Sequence, residues 1–277
     1  MKTLILLLFL QVSAFAQTIQ ADWQARAVKQ FPQLAVKDSP LNKAFLAEVA
    51  RYKREAPQFF AEKPSWPYII AVQKAAEQGN AAAQFKLGRM LSGGDDSCPS
   101  VEEPGGEKKA IEWYQKAAAG GDARAQRELA VSYDIGSYGF PKDIAKAVEW
   151  YQKAAAGGDA IAQDALASCY VAGKGVPKDL KKALEWTRKG AVQGYINCQV
   201  DMGLYDSKTF HFEADDIEAT AWYYILEKED RDVIAKANRE REARIGRAGM
   251  LAAQRRSKEI IKEINTAKAA RASTGEN

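Results

Sequence analysis

Apolar and small residues in the middle of the chain recur at helical spacing, and the recurrence is itself repeated. Between Ala162 and Tyr170 they fall at Ala162, Ala165, Leu166, Ala167 and Tyr170, the pattern of one buried helix face. Asp159 precedes this run as a short acceptor able to cap free N–H groups. Gly173 and Gly175 follow it, where glycine tolerates the left-handed conformation that ends a helix. Pro177 bars continuation, and Asp179 opens a second run carrying Leu180, Ala183, Leu184 and Ala191. The preceding stretch repeats the plan with Asp122, Gly136, Gly139, Pro141 and Asp143. Each unit is therefore predicted as a helical hairpin.

The segments Trp113–Tyr133 and Trp150–Tyr170 are identical at 16 of 21 positions. Trp113, Trp150, Trp186 and Trp222 stand 37, 36 and 36 residues apart. The blocks KAAEQG at Lys74, KAAAGG at Lys116 and Lys153, and KGAVQG at Lys189 keep the same beat, as do Ala83-Gln84, Ala125-Gln126, Ala162-Gln163 and Cys198-Gln199. The one longer interval carries an inserted loop around Cys98. A period in the mid-thirties marks a solenoid of helical hairpins, in which each unit buries its apolar face on its neighbours. Copies stay alike where each must offer the same stacking surface. On this reasoning Trp150→Ala, in an internal unit, is expected to cost about 3–5 kcal/mol. The same change at Trp222, in the degenerate last unit, is expected to cost clearly less.

The stretch AVEWYQKAAAGGDAIAQDALASCYVAGKGVPKD carries A-x-x-W-Y-x-K-A-A, A-Q-x-x-L and G-x-G-V-x-x-D in order. In this it resembles the Sel-1-like repeat family, of the exported bacterial type, over about Pro67 to Glu229. The resemblance implies an all-α fold, a right-handed α/α solenoid of tetratricopeptide type. The fourth unit departs from the pattern, with Tyr195 in place of the capping Asp and KTFHFEADD in place of the G-x-G turn. Some cysteine-rich relatives are described as penicillin-binding or β-lactamase-like, which makes a cell-wall or β-lactam hydrolase the alternative activity. Those relatives carry paired cysteines in every repeat, whereas the matching positions here are mostly alanine, as at Ala118 and Ala155.

The flanks read differently. Residues 1–16 combine Lys2, an apolar run from Leu4 to Leu10 and Ala14-Phe15-Ala16, the plan of a cleaved signal peptide. The expectation is export, to the periplasm or beyond. Residues 17–66 form a helix-compatible N-terminal flank, with LNKAFLAEVARYKREAP carrying Phe45, Val49 and Tyr52 inward to cap the first repeat. Residues 67–229 hold about four repeats, and 230–277 a charged C-terminal helix with a frayed end. Seven basic and two acidic residues between Arg239 and Lys258 suggest weak contact with an anionic envelope surface, a membrane or polymer.

Composition narrows the function. A chain of 277 residues, 47% hydrophobic and 27% charged, suits a folded protein, and a net charge of +4 is too mild to imply a nucleic-acid partner. The single histidine, His211, removes catalytic histidine dyads. No G-x-S-x-G, S-x-x-K or G-x-x-x-x-G-K-[ST] motif occurs, so no catalytic residue, metal ligand or cofactor is assigned. Cys169 and Cys198 fall about 10 Å apart along successive helices, too far for a disulfide.

The differences between copies point to a partner. They fall at Arg124/Ile161, Arg127/Asp164, Glu128/Ala165, Val131/Ser168 and Ser132/Cys169, and the first four are spaced i, i+3, i+4, i+7 on one helix face. The same register gives Phe85 and Arg89 in the first unit, and Val200, Asp201 and Leu204 in the fourth. The candidate partner-binding set is thus Phe85, Arg89, Arg124, Arg127, Glu128, Val131, Ile161, Asp164 and Ser168. The expected function is a non-enzymatic scaffold that holds a protein or peptide on the concave, first-helix face. Charge reversal at Arg124 and Arg127 is expected to weaken that capture without lowering thermal stability.

Overall fold

A computed structural model describes residues 25–36, 38–55, 65–93, 105–204, 216–226 and 231–274. The predicted leader, Cys98 and His211 lie outside the described residues. The described residues form an all-α fold of consecutive helical hairpins, in two compact units, Met1–Ala125 and Gln126–Asn277.

In the first unit, a 3-10 turn Pro32–Ala35 leads to helices α1 Pro40–Glu55, α2 Trp66–Glu77, α3 Ala81–Leu91 and α4 Gly106–Ala119. Helix α1 packs on α2, α2 on α3, and α3 on α4. Phe45 and Val49 are half-buried in this packing, while the side chain of Tyr52 lies outside the described set. The sequence pattern misses the polar part of the contact. Glu48 is buried and pairs with Arg51 at 2.6 Å and with Lys74 of α2 at 3.2 Å. Lys74 also reaches Glu77 at 2.8 Å, and these two carboxylates raise its pKa against the opposing effect of burial. The lysine of the first K-A-A block thus fastens the N-terminal flank to the repeats.

Helix α5, Ala123–Ile135, leads into the second unit, which continues with α6 Ile144–Ala156, α7 Ala160–Ala172, α8 Leu180–Val192, α9 Ile196–Leu204, α10 Asp216–Leu226 and α11 Arg231–Thr274. The predicted caps are in place. Asp143, Asp159 and Asp179 accept from the amides of Lys146, Ala162 and Lys182 at 3.0, 2.8 and 3.1 Å. Gly173 ends α7 in the left-handed region at φ 70°. Gly175, at φ 71°, has no room for a side chain: a Cβ would lie 2.9 Å from Cγ2 of Ile144. The glycine therefore meets a tight approach as well as a turn.

The repeated Ala-Gln pairs have a physical role that periodicity alone does not reveal. Gln84, Gln163 and Gln199 are buried, and each donates from Nε2 to a carbonyl eight residues earlier. The acceptors are Ala76, Ala155 and Ala191, at 3.1, 3.0 and 3.1 Å. These oxygens belong to the last turn of the preceding helix, where carbonyls lack intrahelical partners. Each glutamine staples one helix to the end of the one before it.

The tryptophans reverse the expected order of burial. Trp113, Trp150 and Trp186 are only half-buried, and Lys116, Lys153 and Lys189 lie over their rings at 4.1, 4.0 and 3.8 Å from the centroids. Trp222 is 0% exposed. It packs with Met202, Cys198, Ala221, Ala253, Ile260 and Ile264, so α11 supplies one wall of its core. Helix α11 is interrupted at Gly246, whose φ of 65° and ψ of −179° are not helical. Beyond it, Leu251 is exposed while Ile260 and Ile264 face inward.

Candidate functional site

Successive first helices touch through their polar side chains. In the second unit, Arg127 of α5 donates from Nε to Asp159 at 3.2 Å, and Asp159 also caps α7. Arg127 pairs with Glu128 at 3.2 Å as well. Next along, Asp164 of α7 accepts from the buried thiol of Cys198 on α9 at 3.5 Å. Cys169 and Cys198 are both free and buried, and burial raises the pKa of each thiol.

The nine candidate residues separate on this frame. Phe85 is 5% exposed, so it is not a surface anchor. Its ring packs on Tyr114 with centroids 5.7 Å apart, and the Arg124 guanidinium covers it at 4.7 Å. Arg124 is also held by Asp122 through contacts of 2.7 and 3.2 Å. Arg127 is fixed between Asp159 and Glu128, and Val131 packs against the core. Charge reversal at either arginine would thus break native ion pairs, contrary to the expectation that stability would be unaffected. Arg89 is half-buried. Ile161 and Ser168 are exposed on α7, with Asp164 half-buried between them.

What these helices leave open overlaps the candidate set at Ile161 and Asp164 and extends further along the chain. Ile161, Ile196, Val200 and Leu204 are between 40% and 51% exposed. The last three stand at i, i+4, i+8 along one face of α9. Beside them is Asp201, whose pKa burial raises to about 6, with the charge of Asp164 adding to the effect. Asp164 is itself raised by burial. Among the described residues no cation pairs with either carboxylate. Asp201 occupies the repeat position of Ala165, which explains why a carboxylate is half-buried there. The signal in the sequence was an acid at a position filled by alanine one repeat earlier. Among the described residues, no three His, Cys, Asp or Glu side chains converge as they would around a metal.

The repeats are also found by comparison. The Sel1 repeat profile matches residues 81–122, 123–159 and 160–195. Three Sel1 repeats thus span residues 81–195 of the chain, which supports a place in the Sel1-like repeat family. Among solved structures it is similar to c5321, a protective antigen of uropathogenic Escherichia coli displaying an SLR fold, with 30% identity and a TM-score of 0.56. That likeness covers 76% of this chain and 44% of c5321, so the chain spans less than half the length of that protein. A Sel1 repeat protein from Oxalobacter formigenes is 36% identical over 47% of this chain and 93% of its own, with a TM-score of 0.41. No curated protein matches the chain. Sel1 repeat proteins generally mediate protein–protein interaction and are typically non-catalytic.

Proposed function

We propose that this Sel1 repeat chain is a non-enzymatic binding module that holds a protein segment on the first-helix face of α7 and α9. One observation carries the reading: exposed Ile161, Ile196, Val200 and Leu204 stand on the helices that bear the unpaired carboxylates Asp164 and Asp201. Such a face suits a segment that combines apolar side chains with a lysine or arginine. An incoming cation would relieve the repulsion between the two acids, while apolar contact would bury surface worth roughly 25 cal/mol per Å². The plan of residues 1–16 supports placing this activity in the cell envelope.

Site-specific photocrosslinking tests it. A photoreactive side chain at Val200 should trap a discrete protein adduct in the envelope fraction of the host. The same probe at Glu185, exposed on the second helix α8, should trap none. Equal adducts at both positions, or no adduct at Val200, would overturn the assignment of this face.

A further inference from the structure

Helix α11 sorts its charges after Gly246. Its inner face carries Ala253, Ile260 and Ile264, buried in the core around Trp222. At 100° per residue, Arg247, Leu251, Arg255, Lys258 and Lys262 all fall within about 80° of arc on the opposite face. Each is exposed. The nearby carboxylates are turned away from this stripe and gathered around Arg256. That arginine binds Glu218 at 2.6 Å and Glu259 and Glu263 at 3.0 Å each, while Arg188 reaches Glu218 at 3.4 Å. The acids are thereby occupied. Among the described residues the four outer cations have no ion-pair partner.

An ordinary solvated helix interleaves opposite charges at i, i+4, because like charges at that spacing destabilise it. Here Arg255, Lys258 and Lys262 follow one another at i+3 and i+4 with no acid among them on the stripe. The cations from Arg247 to Lys262 extend along about 22 Å of one straight helix face. Leu251, 49% exposed, sits among them, and Ile261, 43% exposed, lies at the edge. A polyanion dissolved in water would use the charges and leave Leu251 idle. A lipid surface can use both, by placing cations among headgroups and the leucine at the acyl boundary.

We propose that this face docks on an anionic phospholipid bilayer, with α11 lying along the headgroups. The proposal is independent of the protein-binding face on α7 and α9. The test uses the full chain and sedimentation with vesicles of phosphatidylcholine, with or without about one third phosphatidylglycerol. Binding should require phosphatidylglycerol and fall steeply with salt, because exposed charges are screened beyond roughly 8 Å at physiological ionic strength. Each cation near such a surface is worth about five-fold in partitioning. The triple variant Arg255→Gln/Lys258→Gln/Lys262→Gln should therefore lose about a hundredfold, with its thermal midpoint maintained because the three side chains contact solvent. Leu251→Ser should lose several-fold on vesicles and nothing on soluble polyphosphate. Equal binding to neutral vesicles, or full binding by the triple variant, would overturn the proposal. So would polyphosphate binding as tight as vesicle binding with Leu251→Ser indifferent on both, which would make the stripe a site for soluble polyanions.

Discussion

The internal hairpins and the last one use the same sequence positions for different work. In the internal repeats, Lys153 covers Trp150 from solvent, and the alanines Ala154 and Ala162 are fully buried in the core. In the last hairpin Trp222 is wholly enclosed. The positions of Ala154 and Ala162 become Gly190 and Cys198, and a Cβ on Gly190 would lie 2.5 Å from the Cys198 sulfur. The lesson is that identity between repeats does not by itself mark deep packing, since the repeated alanines are fully buried while the repeated tryptophan is half-exposed. Where the repeat ends, a larger side chain on one helix is matched by a smaller one on its neighbour.

The largest expected effect breaks or keeps this contrast directly. Trp222→Ala should cost about 3–5 kcal/mol, as expected for a fully buried aromatic. Trp150→Ala, which removes a half-exposed ring, should cost only about 1–2 kcal/mol of lost burial. Urea melts of both variants provide the measurement. A larger loss at Trp150 would mean that the internal stack, not the terminal core with α11, limits stability.

That order is the reverse of what periodicity suggests, and the reason is physical. Hairpin boundaries were legible because capping and helix termination are local: Asp143, Asp159 and Asp179 cap where predicted, and Gly173 ends its helix. The destination of a side chain is not local. Trp222 is buried because α11 returns to cover it, and a charged helix of weak amphipathicity does not announce which hairpin it covers. Phe85 fails as a surface anchor for the same reason, since Tyr114 and Arg124 close over it from other helices. The exposed apolar run on α9 was present in the letters, but only in the degenerate unit where the register is hardest to extend.

The next effect sharpens the glycine–cysteine exchange. Gly190→Ala should cost about 1–3 kcal/mol, the usual range for an extra methyl group in a filled core. Adding Cys198→Ala restores the alanine pair of the internal repeat and should recover most of that loss. A double-mutant cycle in denaturant measures the coupling, and simple additivity would show that the two positions are independent. A somewhat smaller loss, about 1–2 kcal/mol, is expected for Gln163→Leu, which leaves the Ala155 carbonyl without its side-chain donor. Amide exchange should then quicken first at the junction of α6 and α7. Unchanged protection there would remove the stapling role given to the Ala-Gln pairs.

The smallest effect compares one repeat position in two settings. Glu128 and Asp201 align in the repeat. Glu128 pairs with Arg127 at 3.2 Å, whereas among the described residues Asp201 has no cation and faces Asp164. The folded pKa of Asp201, about 6, lies above its usual value of 3.8. Below the usual value both states are protonated and nothing is lost. As pH rises between the two values, the unfolded chain ionises first, so the folded state loses stability, and the loss is complete above about pH 6. Asn cannot ionise. Asp201→Asn should therefore raise the thermal midpoint at pH 7 and leave it nearly unchanged at pH 3. Asp164 is shifted in the same direction, so part of the pH slope should survive in the variant. Glu128→Gln should do the opposite at pH 7, lowering the midpoint slightly through loss of a partly exposed ion pair worth at most about 1 kcal/mol. An equal gain for Asp201→Asn at both pH values would mean that amide packing, and not the unpaired charge, sets the effect. The carboxylates of α7 and α9 would then lose their claim on a cationic partner.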